Sequence, residues 1–112
     1  MASRQLDALA PPVYRAALAF IERCNVVGLH VLIYCTMRDD DEQAELYARG
    51  RTEPGAIVTN ARPGQSLHNP QRDGKAWAFD AVPMLAGKTL WADEGALMLM
   101  GAAGERAGLE WA

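Results

Sequence analysis

A chain of 112 residues, half of them hydrophobic, has the length of one domain and enough apolar material to build its own core. Its net charge of −3 argues against a nucleic-acid binder, which carries a basic footprint; here the mildly basic run is only Arg49–Arg51. Two cysteines, Cys24 and Cys35, make neither a disulfide framework nor a CxxC pair, so they read as buried, reduced thiols and not as a cysteine zinc site.

Met1–Pro12 holds no apolar stretch of signal-peptide length, and the apolar run Val31–Cys35 is far too short to span a membrane. The expectation is a protein made in the cytoplasm without a signal peptide. Leu6–Leu9 reads as a short turn or helix. Pro11 and Pro12 suit a helix start, where a missing N–H costs nothing. From Pro12 to Val27 the residues Val13, Ala17, Phe20, Ile21 and Cys24 recur at three- and four-residue steps. That spacing predicts an amphipathic helix with one buried face, closed by Gly28.

Leu29–Met37 is a β-branched and apolar run and predicts a buried strand. Alternation puts His30, Leu32, Tyr34, Thr36 and Arg38 on one face, with Val31, Ile33, Cys35 and Met37 on the other. Cys35 is therefore expected to point away from Arg38. Asp39, Asp40 and Asp41 offer N-cap oxygens and negative charge to a helix over Glu42–Arg49, with Ala44, Leu46 and Tyr47 for packing. Gly50 closes that helix.

Arg51–Gly55 reads as a loop, Ile57 and Val58 as a short strand, and Arg62–Gln65 as a Pro-Gly turn. Ser66–Asn69 leads into a strand that includes Trp77–Val82, with Asp73-Gly74 suited to the reversal between them and Pro83 ending the strand. Met84–Trp91 is an extended arm turning at Gly87. Asp93 or Glu94 opens the last helix, which runs to about Ala107 with Leu97, Met100 and Ala103 inward. Gly108 caps it, and Leu109–Trp111 begins another strand. The predicted class is α+β: a small, mostly antiparallel sheet with flanking helices.

Six blocks carry a further signal: Thr36-Met37-Arg38, Glu42–Tyr47, Gly50–Gly55, Val58–Ala61, Ser66–Asn69 and Ala78-Phe79-Asp80. In order, spacing and residue type they resemble the zinc LD-/DD-peptidases of bacterial cell walls. That family holds VanY-like D-alanyl-D-alanine carboxypeptidases and phage L-alanyl-D-glutamate endolysins. The resemblance runs from about Leu6 to Trp111. It implies a Hedgehog/DD-peptidase-like fold, a catalytic Zn2+, and hydrolysis of an amide bond next to a D-amino acid in the peptidoglycan stem peptide. It also implies action on the wall after release through a holin-type pore.

A catalytic zinc takes three protein ligands and keeps one position for water. His68 and Asp80 supply suitable nitrogen and oxygen donors, and a reversal between two strands can bring them together. That spacing alone is a weak signal. The resemblance strengthens it, because the family pattern Ser-x-His, a short gap, then Gly-x-Ala-x-Asp places its zinc ligands at His68 and Asp80. The chain departs by several extra residues around Pro70–Lys75 and by Ala76 at the usual glycine, unless Gly74 takes that place. By the same resemblance Arg38 stabilises an oxyanion or holds a substrate carboxylate, Gln43 supports it, and Ser66 positions substrate or orients His68. A structural salt bridge from Arg38 to Asp39, Asp40 or Asp41 is the plainer alternative. His30 has no counterpart role and is expected to be hydrogen-bonded or exposed.

In the family, a segment after Gly-Leu-Glu-Trp supplies an acidic general base and a final histidine ligand. Here Gly108-Leu109-Glu110-Trp111 is followed by Ala112, where the sequence ends. The expectation is a C-terminally truncated relative with two of the family's ligands and without its base. Three readings stay open: a truncated form of an active enzyme, a site completed by a second chain, or a non-catalytic homologue that binds wall peptide or acts as a scaffold. A missing final strand would leave an open sheet edge, which favours a homodimer.

Overall fold

The structure is a computed structural model and describes residues 3–110. A 3-10 turn at Leu6–Ala8 precedes α1 (Pro11–Val26), β1 (His30–Cys35), α2 (Asp40–Ala48), β2 (Asp80–Leu85), β3 (Lys88–Thr89) and α3 (Glu94–Arg106). The three strands form one antiparallel sheet in the order β1-β2-β3, so the class is α+β as expected. The chain groups into two units: residues up to Ala10 with Cys35–Phe79, and Pro11–Tyr34 with the residues from Asp80 onward.

In the second unit α1 buries Ala17, Phe20 and Cys24, the face that the periodicity marks. Its end is a Schellman-type cap: Gly28 takes φ +77° and the Leu29 N–H reaches back to the Cys24 carbonyl at 2.8 Å. α3 starts on Asp93, whose carboxylate accepts from the Ala96 N–H at 3.0 Å. It buries Ala96, Met100, Gly101, Ala103 and Gly104. α1 packs against it: a Cβ built on Gly104 would stand 3.7 Å from the Phe20 ring, at ordinary van der Waals contact. Leu97, expected inward, is only half-buried.

The arm expected at Met84–Trp91 is a hairpin in which Met84 pairs with Thr89 and Leu85 with Lys88. Ala86 (φ +50°) and Gly87 (φ +78°) make its turn, two consecutive left-handed residues that match strand twist. Strand expectations are overturned at three places here and at Ile57–Val58 in the first unit. Pro83 does not end a strand but lies inside β2, where its carbonyl accepts from the Leu90 N–H at 2.8 Å. Pro83 gives up only a donor, so it can serve where its acceptor is the group in use. β2 begins at Asp80, not Trp77. Leu109 and Glu110 form no strand, and Trp111 lies outside the described residues. β1 itself is mostly half-buried, with Cys35 its one buried residue.

In the first unit α2 opens with a complete capping box. The Glu42 N–H donates to Asp39 Oδ1 at 2.7 Å, and the Asp39 N–H donates to Glu42 Oε1 at 3.2 Å. Gln43, not Ala44, is the buried residue of this helix; Ala44 is exposed. Ile57 and Val58 are also exposed and form no strand. Side chains hold that segment instead. Arg51 stacks on the Tyr47 ring at 3.9 Å and donates to the Tyr47 and Thr59 carbonyls at 2.7 and 3.0 Å. Arg62 Nε donates to the Tyr47 hydroxyl at 3.3 Å, and this bond is the main cause that draws the Tyr47 pKa below its ordinary value.

Gly50 makes both demands that only glycine meets. Its φ is +77°, and a Cβ there would meet the Ile57 backbone nitrogen at 2.7 Å. Gly28 shares the φ of +77° but has open space around it. Gly28→Ala should therefore lose about 1–2 kcal/mol from backbone strain alone. Gly50→Ala should lose clearly more, read as a larger drop in the urea midpoint.

Candidate metal centre

The site is built on the place where β1 stops being a strand. Beyond Cys35 the backbone leaves the sheet, so strict alternation ends there and no longer fixes where Arg38 points. Cys35 Sγ consequently lies 3.8 Å from the Arg38 guanidinium and 3.7 Å from His68 Nδ1. This corrects the expectation that Cys35 faces away from Arg38.

The Thr36–Arg38 segment is clasped by the Ser66–Asn69 turn. The Arg38 N–H donates to the His68 carbonyl at 2.8 Å, and Asn69 Nδ2 donates to the Arg38 carbonyl at 2.8 Å. His68 Nδ1 sits 2.9 Å from the Thr36 carbonyl. A carbonyl oxygen only accepts, so this contact favours the proton on Nδ1 and the basic lone pair on Nε2. A metal-binding histidine is commonly held in this way, by a carbonyl on its other nitrogen.

The turn is itself held by side chains. Ser66 Oγ accepts from the His68 N–H at 3.1 Å. Asn69 Oδ1 accepts from the Gly64 and Ser66 N–H groups at 3.0 and 3.2 Å. Asn69 is fully buried, and its role is not visible from motif reading. Thr36 is fully buried too; its hydroxyl lies 2.9 Å from the Gln5 carbonyl and 3.2 Å from that of Ser3.

Arg38 and Gln43 form a fixed pair. Arg38 NH1 donates to Gln43 Oε1 at 2.9 Å, and Gln43 Nε2 donates to the Ala61 carbonyl at 2.7 Å. Gln43 has no exposed surface. The guanidinium is thus engaged by Gln43 and Cys35, while the neighbouring Asp39 is used as the helix cap. His30 is exposed, at the other end of β1.

Asp80 follows Phe79 and is the first residue of β2, the strand beside β1. Within the first unit the buried Cys35 and the half-buried His68 bring a sulfur and an imidazole together, 3.7 Å from Sγ to Nδ1, while the half-buried Asp80 belongs to the second unit. Sulfur, imidazole nitrogen and carboxylate oxygen are the donors that zinc takes. Cys35 stands beside His68 in the first unit with Arg38 against its sulfur, and Asp80 opens β2 in the second. Gln43 and Ser66 stand behind Arg38 and His68 respectively.

No family model matches the chain. Over 42 residues it is 52% identical to the peptidoglycan L-alanyl-D-glutamate endopeptidase CwlK of Bacillus subtilis (strain 168). The match covers 38% of this chain and 25% of that protein. The chain thus has partial homology to a peptidoglycan endopeptidase and carries candidate metal donors in Cys35, His68 and Asp80. Among the described residues no helix is long and apolar enough to cross a membrane.

Asn69→Asp keeps the shape but replaces the amide that donates to the Arg38 carbonyl with an acceptor. Two buried acceptors would then face each other. We expect a loss of about 1–3 kcal/mol in stability at neutral pH, measured by chemical denaturation.

Proposed function

We propose that this protein is a zinc-dependent peptidoglycan peptidase, cleaving an amide bond next to a D-amino acid in the stem peptide. The observation that carries this reading is the match at 52% identity over 42 residues to a peptidoglycan endopeptidase, in a chain whose His68 ring is held by a carbonyl beside a thiol and a guanidinium. That match favours an endopeptidase acting at the L-alanyl–D-glutamyl bond over a carboxypeptidase. His68 and Asp80 are the metal ligands. When bound, zinc supplies Lewis acidity toward the scissile carbonyl and toward water.

Arg38 supplies a permanent positive charge where negative charge develops on the carbonyl oxygen. Gln43 is a positioning residue: its oxygen holds one arm of the guanidinium and its amide is anchored on Ala61, so little reorganisation is needed during reaction. Ser66 also positions, by holding the backbone of His68.

The test is mass spectrometry of a stem peptide containing the L-alanyl–D-glutamyl bond after incubation with the zinc-loaded protein. We expect cleavage at that bond and its loss in His68→Ala. Arg38→Lys should lower kcat by roughly a hundredfold, the scale on which one oxyanion donor acts. If the folded, zinc-loaded protein binds the peptide and leaves it intact, the alternative holds: a non-catalytic wall-binding homologue.

A further inference from the structure

We propose that the Arg62 guanidinium and the Tyr47 hydroxyl form a carboxylate-binding subsite, which takes the free carboxylate of the D-glutamyl residue in the stem peptide. The proposal rests on the reading of that peptide as the substrate and adds to it the groups that select it.

Substrate chemistry sets the need. A glutamyl residue has two carboxyl groups and continues the peptide through one of them. The other stays an anion near the bond that is cut. Arg38 is already engaged, with one guanidinium nitrogen on Gln43 and another against Cys35 Sγ. A second cation is needed to meet the charge.

Arg62 is placed for that task. Gln43, which holds Arg38, donates its amide to the Ala61 carbonyl at 2.7 Å, and Arg62 is the next residue along. On its other side the turn Arg62–Gln65 is closed twice. The Gln65 N–H donates to the Arg62 carbonyl at 2.9 Å, and the Arg62 N–H donates to Gln65 Oε1 at 2.8 Å. Ser66, which holds the His68 backbone, follows directly. All of these residues lie in the first unit.

The Arg62 side chain is fixed but only partly used. Its Nε donates to the Tyr47 hydroxyl at 3.3 Å, and among the described residues neither terminal nitrogen has a partner. The Tyr47 oxygen accepts that bond, which leaves its own O–H to donate. The bond from Arg62, followed by the charges of Arg62 and Arg51, draws the Tyr47 pKa down, and a more acidic hydroxyl is the stronger donor. Arg51 steadies the ring. It stacks on Tyr47 at 3.9 Å and is itself tied to the Tyr47 and Thr59 carbonyls and to Asn60 Oδ1, at 2.7, 3.0 and 3.2 Å. Two guanidiniums thus flank one phenol, and among the described residues no carboxylate pairs with either. The open Arg62 nitrogens match the planar fork of a carboxylate.

The test is titration calorimetry on the full chain in zinc-containing buffer, with two synthetic stem peptides. Both carry a ketomethylene group in place of the L-alanyl–D-glutamyl amide, so neither is cut. One keeps the free glutamyl carboxylate, and the other has it as the neutral amide. We expect the acid to bind about fivefold tighter than the amide, the scale of a well-formed ion pair open to water. Arg62→Gln should abolish the preference by weakening the acid alone, and Tyr47→Phe should reduce it. Arg72→Gln removes the same charge elsewhere in the first unit and should keep it.

Equal affinity for acid and amide in the parent would overturn the subsite and leave the peptidase reading in place. So would a preference that survives in Arg62→Gln, or an Arg62→Gln variant that weakens both peptides alike. A preference that depends on Arg62 in a protein that cuts no stem peptide would support the subsite and overturn the peptidase. A parent that binds neither peptide and cuts none would overturn both.

Discussion

Two stretches of backbone, Thr36–Arg38 and Ser66–Asn69, are fastened across each other, and the site depends on that clasp. The Arg38 N–H is given to the His68 carbonyl, the Arg38 carbonyl is taken by Asn69, and the Thr36 carbonyl holds the His68 ring. One fastening sets three things at once: the position of the imidazole, its favoured tautomer, and the course of the chain that carries Arg38. The end of β1 matters for the same reason. Because the strand stops at Cys35, the sulfur and the guanidinium reach a common point instead of opposite faces.

Buried amides do the holding. Gln43 and Asn69 are both fully enclosed, and each uses its oxygen and its nitrogen on named partners. Among the described residues no buried side-chain nitrogen or oxygen lacks a partner. Each such bond adds only about 1 kcal/mol net, but a buried group left without its partner costs about 1–3 kcal/mol. A network of this kind therefore contributes less to overall stability than to excluding other arrangements. For a metal site that is the useful property, since ligands must be held near productive geometry before the ion arrives.

Helices were the most legible part of the sequence. Ala17, Phe20 and Cys24 repeat on one face of α1, Asp39 announces a cap, and Gly28, Gly50 and Gly108 take the left-handed backbone that a helix end uses. These are local signals, and each acts within a few residues. Strands are less legible. Ile57 and Val58 look like a strand by residue type, but Arg51 and its contacts hold that loop by side chains. Pro83 looks like a terminator, yet β2 needs only its carbonyl toward Leu90. His68 and Asp80 carry the motif resemblance; His68 sits in the clasped turn of the first unit and Asp80 opens β2 in the second. Alternation holds only as far as Cys35, so it does not place Arg38, and the sulfur meets the guanidinium instead of facing away from it. The pairing of Thr36 with Ser3 and Gln5 joins distant parts of the chain, which no local pattern announces.

The central claim is that this arrangement exists to hold a metal. Its most direct test is the zinc content per chain of protein purified without chelator, measured beside His68→Ala. The account predicts close to one zinc per chain in the parent and loss of zinc in the folded variant. A folded parent without zinc that takes none up from buffered zinc solution would contradict it, as would equal zinc in the two proteins.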